Sequence, residues 1–318
     1  MSRINEEVII QGKCDLAATI TRYPSDKKQP AVLVIGGTGK VNRDGNVLGL
    51  KMNLYKDLAE SMTDMGYVSL RYDKRGVAKS GGNAKTAGVF DLVDDVLSCI
   101  KYLKSLSYVD ENRIILAGHS EGCILSTLVS KEESVAGLLL ISGAGVCLRT
   151  SMEEQAHSLL KEVKETRGLK GLLLRFAIKE KAVIGKQKKL FERILASTTD
   201  TIRVQMAKFS AKWLREHLKL NDEDFIKILS EFQLPVLAVT GDKDIQTDYR
   251  NLDNIKELEM SNIQVDVIPD MDHILKRFDG KMTILNLKKQ YTKEKNKSIH
   301  IDLIELIKSW SHTNIIES

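Results

Sequence analysis

Residues 118–122 read Gly118-His119-Ser120-Glu121-Gly122, a G-x-S-x-G spacing. It lies between the apolar run RIILAG and a segment, EGCILSTLVS, that reads as a helix. This spacing suits a serine nucleophile. The serine must sit on a sharp strand-to-helix turn that lifts its hydroxyl clear of the backbone. Glycines on either side remove Cβ atoms that would collide across such a turn and tolerate unusual φ/ψ. A helix starting after Ser120 would aim its first N–H groups at charge developing beside the hydroxyl.

A serine hydroxyl needs a base. The chain has six histidines. His119 is expected to be turned away from the hydroxyl, His157 and His217 to lie on the surface of a helical stretch, and His300 and His312 to fall in the last helix or its tail. His273 follows the strand-like run QVDVIP in the loop Asp270-Met271-Asp272-His273, where a sheet edge would present it beside Ser120. The orienting acid is expected after the preceding strand, PVLAVTG, which ends in Asp242-Lys243-Asp244-Ile245. Asp244 lies far enough past the strand end to turn back toward His273, with Asp242 and Asp272 as alternatives. The acid would fix the imidazole tautomer and stabilise the imidazolium.

A glycine-rich stretch, VLVIGGTGKVNRDG, raises the question of a phosphate cradle. A Walker A loop requires G-x-x-x-x-G-K-[ST], but Val34 and Val41 occupy its first and last positions. A dinucleotide G-x-G-x-x-G from Gly37 fails at Asn42. What remains is a turn after the third strand, where a serine hydrolase of this layout places one oxyanion donor. The expected donors are the backbone N–H groups of Thr38 and Glu121, with Gly36, Gly37, Gly39, Gly118 and Gly122 supporting the two turns.

These residues need elements to bring them together. Strand-like runs occur at 7–10, 15–22, 31–36, 67–73, 113–118, 137–143, 235–241 and 264–270. The first two read as a hairpin. Helical patterns at about 51–65, 88–106, 121–131, 249–260 and 299–311 alternate with the later strands. The alternation predicts an α/β fold with a mostly parallel sheet and helices on both faces. From Cys147 to Gln233 no strand is expected, only amphipathic helical runs, with Asp222 placed as a helix cap.

Of the 318 residues, 42% are hydrophobic and 29% charged, which is ordinary for a globular chain with a sizeable core. The net charge is +5. Most of the excess falls in 146–232, with 18 Lys/Arg against 12 Asp/Glu, and reads as a solvated helical face. No nucleic-acid motif, secretory leader or membrane-length apolar run is found. Cys14, Cys99, Cys123 and Cys147 lack the spacing of a zinc site and read as reduced thiols of a cytoplasmic protein.

Taken together, LAGHSEGC, VTGDKDIQ and the loop around His273 resemble the α/β-hydrolase superfamily. RYDKRGVAKSGG (71–82) is similar to its D-x-R-G-x-G-x-S stretch, with Ala78 in place of the second glycine. GGTGKVNRDG resembles the G-S-G-P-x-D-R-D-G loop of small bacterial esterase-like members, with Gly36-Gly37 for His-Gly and Lys40 for the proline. The resemblance implies an eight-stranded sheet whose second strand is antiparallel. It implies a core of residues 1–146 and 234–318, and a helical cap at 147–233 inserted after strand 6. It also implies ester or related acyl hydrolysis through an acyl-enzyme, with Ser120, Asp244 and His273 as a triad, a small-molecule acyl substrate, and no metal or organic cofactor. Oligomeric state stays open, a homodimer included.

Overall fold

The computed structural model describes residues 2–204 and 207–316. Among these residues are ten strands, with helices between most of them after β3. The first six are β1 (Ile4–Ile10), β2 (Leu16–Arg22), β3 (Gln29–Ile35), β4 (Val68–Tyr72), β5 (Val109–His119) and β6 (Gly137–Ile141). A small hairpin, β7 (Thr201–Val204) and β8 (Ala207–Ser210), stands apart. β9 (Val236–Gly241) and β10 (Ile263–Ile268) complete the main sheet, ordered β1-β2-β4-β3-β5-β6-β9-β10. β2 pairs antiparallel with both neighbours, and the other main-sheet strands, β4, β3, β5, β6, β9 and β10, pair in parallel in that order, as expected.

The inner strands of the main sheet are buried on both faces, and their alternation splits the core in two. Ala31, Leu33 and Ile35 of β3 join one cluster with helix α2 (Val89–Ser105) and helix α3 (Glu121–Val129). Val32 and Val34 join the other with α1 (Leu54–Asp64) and the last helix, α11 (Ile301–Ser311). The chain moves one way across the sheet from β3 to β4, then returns past β3 to β5. The carboxyl ends of β3 and β5 therefore flank the point where strand order reverses, the place where such sheets form crevices.

Between β6 and β9 lie helices α4 (Leu148–Glu165), α5 (Gly168–Ala177), α6 (Glu180–Leu195), the β7–β8 hairpin, α7 (Ala211–Leu218) and α8 (Asp222–Glu231). The strands here correct the expectation of an all-helical stretch. Each is four residues long, too short for a period to be read. The insertion has its own small core of Phe191, Ile194, Ile202, Ala211 and Leu218. α8 instead packs Phe225 against Ile124 of α3. Asn221, not Asp222, caps α8. The Asp222 carboxylate accepts the Cys147 N–H at 2.6 Å and the Thr150 hydroxyl at 2.9 Å, tying the two ends of the insertion together. The short helix α9 (Asp253–Lys256) falls within the helical run expected at about 249–260, whereas α10 (Leu287–Glu294) was not anticipated because LKKQYTKE shows little apolar period.

Candidate active site

β5 runs directly into Ser120, which precedes α3. Ser120 holds φ 55° and ψ −119°, a conformation that costs a non-glycine residue about 1–3 kcal/mol. The flanking glycines make this turn possible. A Cβ on Gly118 would lie 2.3 Å from the Gly122 carbonyl oxygen, and one on Gly122 would lie 2.1 Å from that of Ile35. No side chain fits either position. Ser120 is half-buried and lines a cavity of about 450 Å³ between the sheet edge and the insertion.

The loops after β9 and β10 bring Asp244 and His273 together. Asp244 Oδ2 lies 2.8 Å from His273 Nδ1. Asp244 Oδ1 accepts the N–H groups of Gln246 and Thr247 at 2.9 and 3.0 Å, so the carboxylate is fixed at both oxygens. Burial pulls the His273 pKa down, but the adjacent Asp244 charge and its hydrogen bond outweigh that and leave it raised above 6.5. The alternative acids do other work. Asp242 accepts the Asp270 N–H, and Asp272 accepts the Lys276 N–H. Burial pushes the Asp272 carboxyl up to about 7. Ser120 Oγ and His273 Nε2 make no hydrogen bond in this conformation. Such nucleophile–base contacts commonly tighten only in the substrate complex.

Both ring nitrogens of His119 have partners other than the Ser120 hydroxyl. His119 is buried, with its ring centroid 4.8 Å from that of His273. Its Nε2 is 2.8 Å from the His273 carbonyl oxygen, which can only accept, so Nε2 carries the proton. Nδ1 then accepts from the Tyr55 hydroxyl at 3.1 Å, and that hydroxyl accepts the Gly37 N–H at 2.7 Å. Burial lowers the His119 pKa to about 3, which keeps it neutral. A neutral imidazole thus links the His273 loop to the glycine loop.

The glycine loop sits against the nucleophile. A Cβ on Gly37 would be 3.0 Å from Ser120 Cβ, and one on Gly36 would strike the Tyr55 ring at 2.7 Å. Gly39, at φ +96°, turns the chain outward. Thr38 lines the same cavity as Ser120 and Glu121. Its N–H has no partner among the described residues. The Glu121 N–H, at the first turn of α3, has no acceptor within the helix.

Two further features were not foreseen. The Glu121 side chain is buried, and three donors converge on it: Lys74 at 2.9 Å, His217 Nε2 at 3.0 Å and the Trp213 indole N–H. Burial disfavours its charge, but Lys74 and His217 more than compensate and hold its pKa well below the carboxylate range. His217 is therefore a buried partner of Glu121 and not a surface residue. Trp213 and His217, four apart on α7, share the helix face that reaches the core. Lys74, just beyond β4, also donates to the Gly37 carbonyl. Lysine in DKRG gave no sign of burial. The W-x-x-x-H spacing of α7 was the one available signal. Among the described residues no cluster of potential metal ligands occurs, and no helix is long and apolar enough to cross a membrane.

Residues 48–277, well over half of the chain, match the family described as Serine aminopeptidase, S33. The chain is 24% identical to Esterase EstD of Thermotoga maritima over 262 residues, 80% of this chain and 56% of that protein. It thus spans about half the length of the curated relative it matches. Est1E from Butyrivibrio proteoclasticus, solved with ferulic acid bound, superposes with a TM-score of 0.61 at 18% identity, covering 97% of this chain and 99% of that one. A Pyrococcus furiosus esterase superposes with a TM-score of 0.58 at 13% identity over 98% of this chain and 91% of its own. At these identities the structures establish the shared α/β-hydrolase fold.

Proposed function

From the premise that the chain belongs to the serine aminopeptidase S33 family of α/β-hydrolases, we propose that it hydrolyses a carboxylic ester through an acyl-enzyme on Ser120. The observation that carries this reading is the strained Ser120 elbow and the buried Asp244–His273 pair on neighbouring loops. Ser120 Oγ attacks the ester carbonyl carbon while His273 Nε2 takes its proton. Asp244 holds Nδ1–H and stabilises the imidazolium. The carbonyl oxygen, now negative, receives the N–H groups of Thr38 and Glu121. Collapse breaks the ester C–O bond, and the departing alkoxide takes the proton from His273. Water, deprotonated by His273, then attacks the acyl carbon and releases the acid and Ser120.

Lys74 acts as a positioning residue. The Gly37 carbonyl and the Thr38 N–H belong to one peptide plane. An ammonium on that carbonyl fixes the plane and strengthens the N–H as a donor. Residues 147–233 serve as a cap over the cavity, anchored to both sides of Ser120: Gln155 donates to the Gln246 carbonyl, and Trp213 and His217 hold Glu121.

The family description favours one second reading, release of amino-terminal residues. An aminopeptidase needs a carboxylate free to receive the substrate α-ammonium. Among the described residues Glu121 is the one carboxylate lining the cavity, and its oxygens are committed to Lys74, Trp213 and His217. This favours ester over aminopeptidase chemistry. Assays of purified protein on p-nitrophenyl esters, acyl thioesters and amino-acid p-nitroanilides, with Ser120→Ala as control, test the reading. Ester turnover lost in Ser120→Ala supports it. Turnover equal in the variant refutes it.

A further inference from the structure

A second cavity, of about 480 Å³, meets the first at Thr38, Glu121, Phe209, Ser210 and Trp213. The two differ in charge. The first is lined by groups such as Ile124, Val146, Leu148, Met152 and Ile194, with no lysine or arginine among the described residues. The second has an apolar floor including Val77, Ala87 and Leu92, and five cationic side chains line it: Lys40, Lys74, Arg75, Lys85 and Lys208. Two of these are neutralised within the protein. Lys74 pairs with Glu121, and Arg75 with Asp91 and Asp95.

The other three have no acidic partner among the described residues. Lys40 comes from the glycine loop, Lys85 from the connection between β4 and α2, and Lys208 from the β7–β8 hairpin. Acids on neighbouring elements are committed elsewhere: Asp91 also binds Lys212, and Glu216 accepts the Phe90 N–H. Lys208 also lies directly opposite Arg203 in the hairpin register. Like charges in that position repel, and Arg203 has no acidic partner among the described residues either. Three exposed lysines at this cavity are therefore left without a counter-charge by the fold. Clefts lined by one sign of charge concentrate ligands of the other.

We propose that the second cavity is a subsite for an anionic group. The substrate is then an ester joining an apolar moiety, held in the first cavity, to a moiety that ends in a carboxylate or phosphate, held by Lys40, Lys85 and Lys208. This rests on the reading of Ser120 as the nucleophile between the two cavities.

Four probes test it: p-nitrophenyl hexanoate, mono-p-nitrophenyl adipate, 4-hexanoyloxybenzoate and 4-hexanoyloxyphenyl phosphate. They are uncharged, anionic on the acyl side, anionic on the alcohol side, and phosphorylated. At least one anionic ester should exceed the neutral one in kcat/KM by about tenfold or more. That advantage should fall toward unity in Lys40→Gln/Lys85→Gln/Lys208→Gln, and in wild type as NaCl rises to about 0.5 M. The side and type of the favoured anion assign the ligand. A neutral ester preferred over all three anions overturns the subsite, and so does an anionic preference that survives the triple variant. Calorimetric titration of Ser120→Ala with the same esters separates the two ideas. Tighter binding of an anionic ester with no hydrolysis in wild type leaves the subsite standing and removes the esterase reading. Equal binding of all four removes the subsite, whatever the hydrolysis.

Discussion

Two buried pairs flank Ser120, and they are built from the same material to different ends. On one side Asp244 holds His273, and on the other Glu121 holds Lys74. Both carboxylates are oriented by further hydrogen bonds; the insertion holds Glu121 directly through Trp213 and His217 and reaches Asp244 only through Gln246, whose N–H Asp244 accepts. The difference lies in the partner. An imidazole held at Nδ1 keeps a lone pair at Nε2 and can carry a proton. An ammonium has donors and no acceptor, so it can only fix charge and orientation. One pair can therefore run proton transfers, while in the proposed mechanism the other would set the field around the oxyanion.

The comparison is broken most severely from the first side. Asp244→Asn should lower kcat/KM by about 10⁴-fold with the fold retained, because the imidazole loses its tautomer and its stabilising charge. A steady-state assay with a circular dichroism control measures it. On the second side the effects divide. Lys74→Met leaves a buried, under-compensated Glu121 charge and should cost about 3–5 kcal/mol of stability, read by denaturant unfolding. Lys74→Met with Glu121→Gln removes that charge and should recover most of the loss. Its kcat should still fall by about 10–100-fold with KM little changed, a share of the 10²–10³ that a whole donor supplies. If the double variant turned over like wild type, Lys74 would be structural only.

A pH profile sharpens the first pair. His273 must be neutral to accept a proton, and Asp244 raises its pKa above 6.5. The kcat/KM should therefore climb with pH through a midpoint above 6.5 and then level. A midpoint below 6.5 would mean that another group controls the acid limb. The smallest effect lies in the loop carrying Lys74. Ala78 sits at φ 46°, where glycine is at ease and alanine is strained. Ala78→Gly should raise stability by about 0.5–1 kcal/mol in thermal unfolding.

The two pairs also differ in how far the sequence discloses them. Ser120, Asp244 and His273 each follow a strong β-branched run, and strand ends in a parallel sheet share one edge, so their placement at that edge follows from topology. The Lys74–Glu121 pair follows from side-chain burial, which no local pattern encodes. Lys74 sits among charged residues in DKRG, and Glu121 reads as a helix-start acid. His217 was misplaced for the same reason. Its helix looks solvated until the core supplies a buried carboxylate for it to meet. Phe176 and Phe209 of the insertion are exposed, whereas Phe191 and Phe225 are buried. Hydrophobicity alone does not say which face of a cap looks inward.

The most direct test of the central claim is labelling with a fluorophosphonate, followed by peptide mass analysis. Acyl transfer through Ser120 predicts one adduct per chain, on the peptide containing Ser120, forming much more slowly in His273→Ala. Folded wild-type protein that stays unlabelled, or that carries the adduct on another residue, would contradict it.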